Sequence, residues 1–173
     1  MADGEPFTAA FVPGGQAYGR FDLPGEDAGV RYYAESPEHA IAEKIVRLRN
    51  QSIDDADLLE FGFRLALVEV RIDVPTRTPV FDLCSAESLR SLRIEPDETA
   101  FRDRRSTQGI SQRIYDAGYV GLRWWSVFRG EWHTFALYTE RVPSDRLRFE
   151  DPDPLTLDHP ALRETADELG IAI

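Results

Sequence analysis

The most regular apolar spacing in the chain follows a Ser36-Pro37 pair. Ile41, Ile45 and Leu48 fall at i, i+4 and i+7, which puts them on one face of a helix. Ser36 suits the N-cap, and Pro37 suits the first helical position, where its missing N–H goes unneeded. Upstream, Val30–Ala34 is dominated by β-branched and aromatic residues between turn formers and predicts a strand. Phe63–Ile72 reads as the clearest strand, with Leu65 and Leu67 on one side and Val68 and Val70 on the other. Pro75 and Pro79 end it and frame a turn, and Val80–Leu83 predicts a further short strand. Phe7–Val12 is a short strand candidate within a Gly-rich start, and residues 50–60 read as an acidic surface bridge.

The second half alternates less regularly. Residues 85–105 predict a short helix and a charged loop. Ser106–Ala117 predicts a helix with Ile110 and Ile114 inward and Gly118 as its left-handed stop. Tyr119–Val127 and Glu131–Thr139 predict an antiparallel pair about a tight Arg129-Gly130 turn. Asp151-Pro152-Asp153-Pro154 reads as a rigid connector, and Pro160–Leu169 as a last amphipathic helix stopped by Gly170. Strands and helices are mixed without a repeating strand–helix order, so the expected fold class is α+β rather than a doubly wound sheet. One domain is expected, with residues 1–150 as its body and 151–173 as a connector and helix packed on it.

Composition narrows the functional classes. A chain of 173 residues is long enough for one domain with a sizeable core. Its net charge of −11 argues against direct nucleic-acid binding and suits a basic protein partner. The lone Cys84 excludes an intrachain disulfide framework, fits a reducing compartment and reads as a small buried residue. No apolar run reaches membrane-spanning length, and the first residues lack the features of a signal peptide. The expectation is a cytoplasmic protein with no membrane partner; homodimerisation is left open.

Candidate chemistry gathers early in the chain. Arg20 lies in a Gly-flanked segment where a phosphate could approach its rigid donor fork. Its plainer role is a surface pair with Asp22 or Glu26. On the Val30–Ala34 strand, Tyr32 and Tyr33 point to opposite faces, so one can pack inward and the other can stack on a flat ring. Glu43 lies about 200° around its helix from Ile41, off the core face. It can make an i,i+4 pair with Arg47 or face a cleft. Ser126 ends a tryptophan-rich strand, sharing a face with Leu122 and Trp124. No Gly-x-Ser-x-Gly elbow surrounds it. The histidines, His39, His133 and His159, show neither triad nor metal spacing, so no metal is expected.

Five pieces of sequence occur in an order that resembles the RES domain family. They are Gly19-Arg20-Phe21-Asp22-Leu23-Pro24, Gly29-Val30-Arg31-Tyr32-Tyr33-Ala34, Ala40-Ile41-Ala42-Glu43, Thr107-Gln108 before a helix, and Gly118 to Ser126. The family is related in fold to ADP-ribosyltransferases and includes bacterial toxins that attack NAD. The resemblance implies mixed sheets with flanking helices and NAD as substrate. It also implies cleavage of the nicotinamide–ribose bond and neutralisation by a helical Xre-type antitoxin that covers the pocket. It gives Glu43, Arg20 and Ser126 catalytic roles, and Arg20, Phe21, Tyr32, Trp124 and Ser106 roles in holding the dinucleotide. Ser106 and Ser126 both remain candidates for the pocket serine. One departure is that no basic residue precedes Arg20, where family members often carry another arginine. A catalytically silent RES-like domain that binds a nucleotide or a partner is therefore the alternative. A third reading is a sugar or nucleoside hydrolase pairing Glu43 with Glu131 or Asp22.

Overall fold

The computed structural model describes residues 19–24, 29–73 and 79–173. The strand expected at Phe7–Val12, the Pro75 turn and Glu26 lie outside these residues. The elements run β1 (Val30–Ala34), α1 (Pro37–Ile45), β2 (Leu59–Glu60), β3 (Phe63–Arg64), β4 (Ala66–Leu67), β5 (Val70–Ile72) and β6 (Phe81–Asp82). Then follow α2 (Ala86–Ser91), α3 (Arg104–Asp116), β7 (Gly121–Trp125), β8 (His133–Tyr138), β9 (Leu147–Phe149), β10 (Asp153–Pro154) and α4 (Pro160–Leu169). This is an α+β fold of mixed sheets and helices, as expected. Two compact units divide it. One takes Ala34–Arg71 and Arg148–Ile173; the other takes Ile72–Leu147 and the described part of Ala9–Tyr33.

The second unit is built on a four-stranded sheet in the order β1-β8-β7-β6. β6 runs parallel to β7, and β7 pairs antiparallel with β8 from Gly121 opposite Leu137 to Trp125 opposite His133. Gly121 is required at that register, because a Cβ there would stand 2.2 Å from the Ala136 carbonyl oxygen. α3 begins at an Asp103 cap and lays Ile110 and Ile114 into a core with Phe21, Val30, Phe81, Leu83, Leu122 and Tyr138. Each such side chain contributes about 1.5–3 kcal/mol on full burial. Gly118, with φ of +95°, ends that helix region as expected.

In the first unit α1 packs on α4. The Ser36 hydroxyl accepts from His39 N, and Pro37 opens the helix, so both start signals act as read. Ile41, Ala42, Ile45 and Leu48 are buried, as are Leu162, Thr165, Ala166 and Leu169 of α4. Gly170 closes α4 in the left-handed conformation.

Four expectations are corrected. Phe63–Ile72 is not one strand: β3 pairs with β2, β4 with β10, and β5 with β9. Each piece has a different partner, so no continuous ladder forms, and most of the segment stays exposed. Residues 50–60 are not simply a surface bridge, because Ile53 and Leu58 are buried and β2 begins at Leu59. The Asp151–Pro154 connector supplies β10, with Asp153 opposite Leu67 and Pro154 opposite Ala66. Cys84 is exposed rather than buried, because it sits in the turn after β6, where its N–H donates to Asp82 Oδ1.

Candidate functional site

Arg20 stands in a turn whose backbone is held almost group by group. Gly19 N donates to Asp22 Oδ2 at 2.7 Å, and Phe21 N donates to the Tyr32 hydroxyl at 3.0 Å. The Tyr32 hydroxyl in turn donates to Asp22 Oδ1 at 2.6 Å. The carbonyls are taken by α3. Gln108 Nε2 donates to Gly19 O at 3.1 Å, Thr107 Oγ1 to Arg20 O, and Ser111 Oγ to Phe21 O at 2.7 Å. Thr107 and Ser111 are fully buried and lie one helical turn apart, beside Ile110 and Ile114. Polar residues on an apolar helix face are the signal in the sequence that marks this brace. Gly19 has its own constraint, since a Cβ would fall 2.2 Å from Asp22 Oδ1.

Burial first, then the hydrogen bond and charge of Asp22, push the Tyr32 hydroxyl well above its usual range. The residue is nevertheless 39% exposed, so part of its ring faces outward while the hydroxyl serves the turn. Tyr33, on the other strand face, is half-buried, and burial raises its pKa too.

The Arg20 guanidinium does not pair with Asp22. Nη2 donates to Thr99 O at 2.7 Å and to Phe101 O at 3.1 Å, while Nε is buried with no partner among the described residues. Its charge also lies 5.7 Å from the Phe21 ring centre. Both hydrogens of Nη2 are thus engaged, whereas Nη1 has no partner among the described residues.

Aromatic rings stand beside the turn. Phe21 and Trp124 have centroids 4.6 Å apart, and Tyr32 meets Trp124 edge-on at 6.0 Å. Phe21 is fully buried, so the direct ligand contact expected of it is corrected: it backs Trp124 from within the core. Trp124 is half-buried, which leaves some of its surface, with that of Tyr32, for a flat ligand.

The serines are placed as follows. Ser126 is buried just after β7, where its N–H donates to Trp132 O and its hydroxyl accepts from Phe128 N at 3.2 Å. It therefore shapes the β7–β8 hairpin, and no acceptor for its hydroxyl proton exists among the described residues. Ser106, expected to open the helix, lies within the first turn of α3, because the helix is capped earlier at Asp103; its hydroxyl lies 3.4 Å from Asp103 Oδ2.

Glu43 belongs to the first unit, on α1. Its carboxylate is 52% exposed and its Oε1 lies 3.4 Å from Nε2 of the buried His39, one turn back. The Arg47 pair is not made; Arg47 reaches Asp57 instead, at 3.6 Å. Of the carboxylates weighed as a second acid, Asp22 is engaged within the turn and Glu131 pairs with Arg129 at 2.8 Å. Among the described residues, no three His, Cys, Asp or Glu side chains gather as a metal site, and no helix is long and apolar enough to cross a membrane.

These features define an α+β protein with a braced arginine turn and an aromatic cluster formed by Phe21 of that turn, Tyr32 of β1 and Trp124 of β7. The RES domain family model matches residues 3–159, and the chain belongs to that family. Among solved structures, a chain of the M. tuberculosis MbcT–MbcA toxin–antitoxin complex shares the fold with a TM-score of 0.56 at 20% identity. The likeness covers 88% of this chain and 76% of that one. No curated protein matches the sequence.

Proposed function

We propose that this protein is a RES-type toxin that cleaves the bond between nicotinamide and ribose in NAD. The observation that carries the reading is RES membership along nearly the whole chain, with an arginine turn and aromatic cluster suited to a dinucleotide. Nicotinamide leaves as a neutral base, taking the bonding electron pair onto its ring nitrogen. Positive charge then develops at ribose C1′, as in glycoside cleavage. Glu43 supplies the opposing charge there. Tyr32 and Trp124 hold a ring, Ser126 donates its hydroxyl proton to the amide or a ribose oxygen, and Arg20 Nη1 faces the diphosphate. Water, phosphate or a protein side chain accepts the ADP-ribose; with water, one proton is released.

The partner in this reading is a protein antitoxin of the helical Xre type, and the site of action is the cytoplasm. What supports a partner is the family together with a similar fold solved in a toxin–antitoxin complex. The test is to incubate the purified protein with NAD and quantify nicotinamide by chromatography. Release at a rate proportional to protein supports the reading; folded protein that releases none overturns it. That second outcome favours a silent nucleotide-binding domain. The engagement of Arg20 Nη2 by two carbonyls and of Ser126 by its own hairpin is compatible with such a domain.

A further inference from the structure

Glu43 has a neighbour whose place the apolar face of α1 does not explain. His39 lies about 200° around the helix from Ile41 and about 40° from Glu43, by the 100° per residue of a regular helix. Ile41, Ile45 and Leu48 carry the apolar face of this segment. His39 stands on the other side, beside a half-exposed glutamate, and is nevertheless fully buried. Burying an imidazole costs free energy unless its ring nitrogens are satisfied. Its Nε2 stands 3.4 Å from Glu43 Oε1.

The two ends of this contact differ. The His39 end is fixed: its backbone N–H donates to the Ser36 hydroxyl at 3.2 Å in the first turn of α1, and its ring is enclosed. The Glu43 end is not, because among the described residues its carboxylate has no polar partner other than His39. Arg47, one turn further on, reaches Asp57 instead. An unheld glutamate samples many rotamers, and a fixed donor at one oxygen selects among them. The second oxygen is left for another group. In a neutral imidazole one nitrogen donates and the other accepts. A bare Nε2 would set its lone pair against those of the carboxylate, so the contact calls for the proton on Nε2.

We infer that His39 is a positioning residue for Glu43: its Nε2–H holds Oε1, so that Oε2 is the oxygen presented to the ribose. The role rests on the NAD reading for the reaction it serves, while the contact itself is testable without NAD. The separation of 3.4 Å shortens to a full hydrogen bond when the site is occupied, as catalytic contacts tighten around a ligand.

The test has two arms. In the first, tautomer-resolving nitrogen NMR follows the His39 imidazole, assigned by its absence in His39→Gln, in wild type and in Glu43→Gln. The expected result is a protonated Nε2 whose resonance moves in the Glu43 variant. A proton on Nδ1 alone, or a resonance that ignores the variant, overturns the inference. In the second arm, kcat and KM for nicotinamide release are compared in wild type, His39→Leu, His39→Gln and Arg47→Gln. Leucine fills the space and donates nothing, whereas the glutamine amide can still donate. His39→Leu loses roughly tenfold to a hundredfold in kcat with KM within about threefold, as when a group acting in the transition state is misaimed. His39→Gln recovers most of that loss, and Arg47→Gln behaves like wild type. A His39→Leu as active as wild type, a His39→Gln as impaired as His39→Leu, or an Arg47→Gln equally impaired overturns the inference. Melting temperatures check folding, and if His39→Leu does not fold, the wild-type spectrum and the activity of His39→Gln decide. A wild type that releases no nicotinamide removes the NAD reading, and the spectrum then decides the contact by itself.

Discussion

The Arg20 turn and the Glu43 segment of α1 present their charged groups by opposite means. Arg20 is held by residues distant in sequence: Thr107, Gln108 and Ser111 bind the carbonyls of its turn, and its head reaches residues 99 and 101. Glu43 is held by its own helix, with His39 one turn away as its neighbour and half of its carboxylate exposed. A group fixed by a tertiary network is costly to disturb, because removing one partner strands others in a buried setting. A group presented on a helix surface can change chemically while the fold stays intact. The contrast separates a residue built into a tertiary network from one presented on the surface of its own helix.

The largest effect is expected at Asp22. It is 3% exposed and accepts from both Gly19 N and the Tyr32 hydroxyl. Asp22→Ala leaves those donors unsatisfied and should lower stability by about 2–4 kcal/mol in urea denaturation. A loss below about 0.5 kcal/mol, within the range of an ordinary surface change, would deny the turn its network.

Ser111→Ala and Thr107→Val come next, at about 1–2 kcal/mol each. Made together they should fall short of the summed losses, because both act on the same turn. Strict additivity would indicate independent roles.

The pH response is smaller and directional. Burial raises the Tyr32 and Tyr138 hydroxyls above their ordinary value of 10.0, so the folded state holds protons that the unfolded chain gives up. Their contribution is complete below pH 10 and falls as pH rises toward the folded-state values. Stability should therefore decline above about pH 10, and Tyr32→Phe should show a shallower decline than wild type. An equally steep decline in Tyr32→Phe would mean that Tyr32 is not among the groups responsible.

Glu43→Gln closes the series on the stability side. The exposed position predicts a change within about 0.5 kcal/mol in the same denaturation measurement. A larger loss would show that Glu43 also has a structural task.

Legibility in the sequence followed the range of the interactions. β1, α1 and α4 were readable because their signals are local: β-branched and aromatic residues, Ser36-Pro37, and Gly170. The division of Phe63–Ile72 among three partners is not legible, because alternation reports a tendency to extend and says nothing about which strand pairs with which residue. The outward position of Cys84 depends on the Asp82 turn, which composition does not reveal. The brace of the Arg20 turn was hidden for a related reason. Thr107 and Gln108 could be flagged as a motif, yet their acceptors are backbone carbonyls nearly ninety residues away, and backbone atoms leave no mark in a sequence. Ser111 went unread, although its place among Ile110 and Ile114 on the inner face of α3 was a usable sign. Glu43 was the reverse case: its identity was plain, while its neighbour proved to be His39 rather than Arg47.

In the proposed reading, Glu43 acts on the chemistry of NAD while the Arg20 turn acts on its binding. The direct measurement pairs NAD affinity by titration with nicotinamide release for wild type, Glu43→Gln and Arg20→Ala. The account predicts that Glu43→Gln binds NAD as wild type does and releases no nicotinamide, whereas Arg20→Ala binds weakly. A Glu43→Gln protein that releases nicotinamide at the wild-type rate would contradict it.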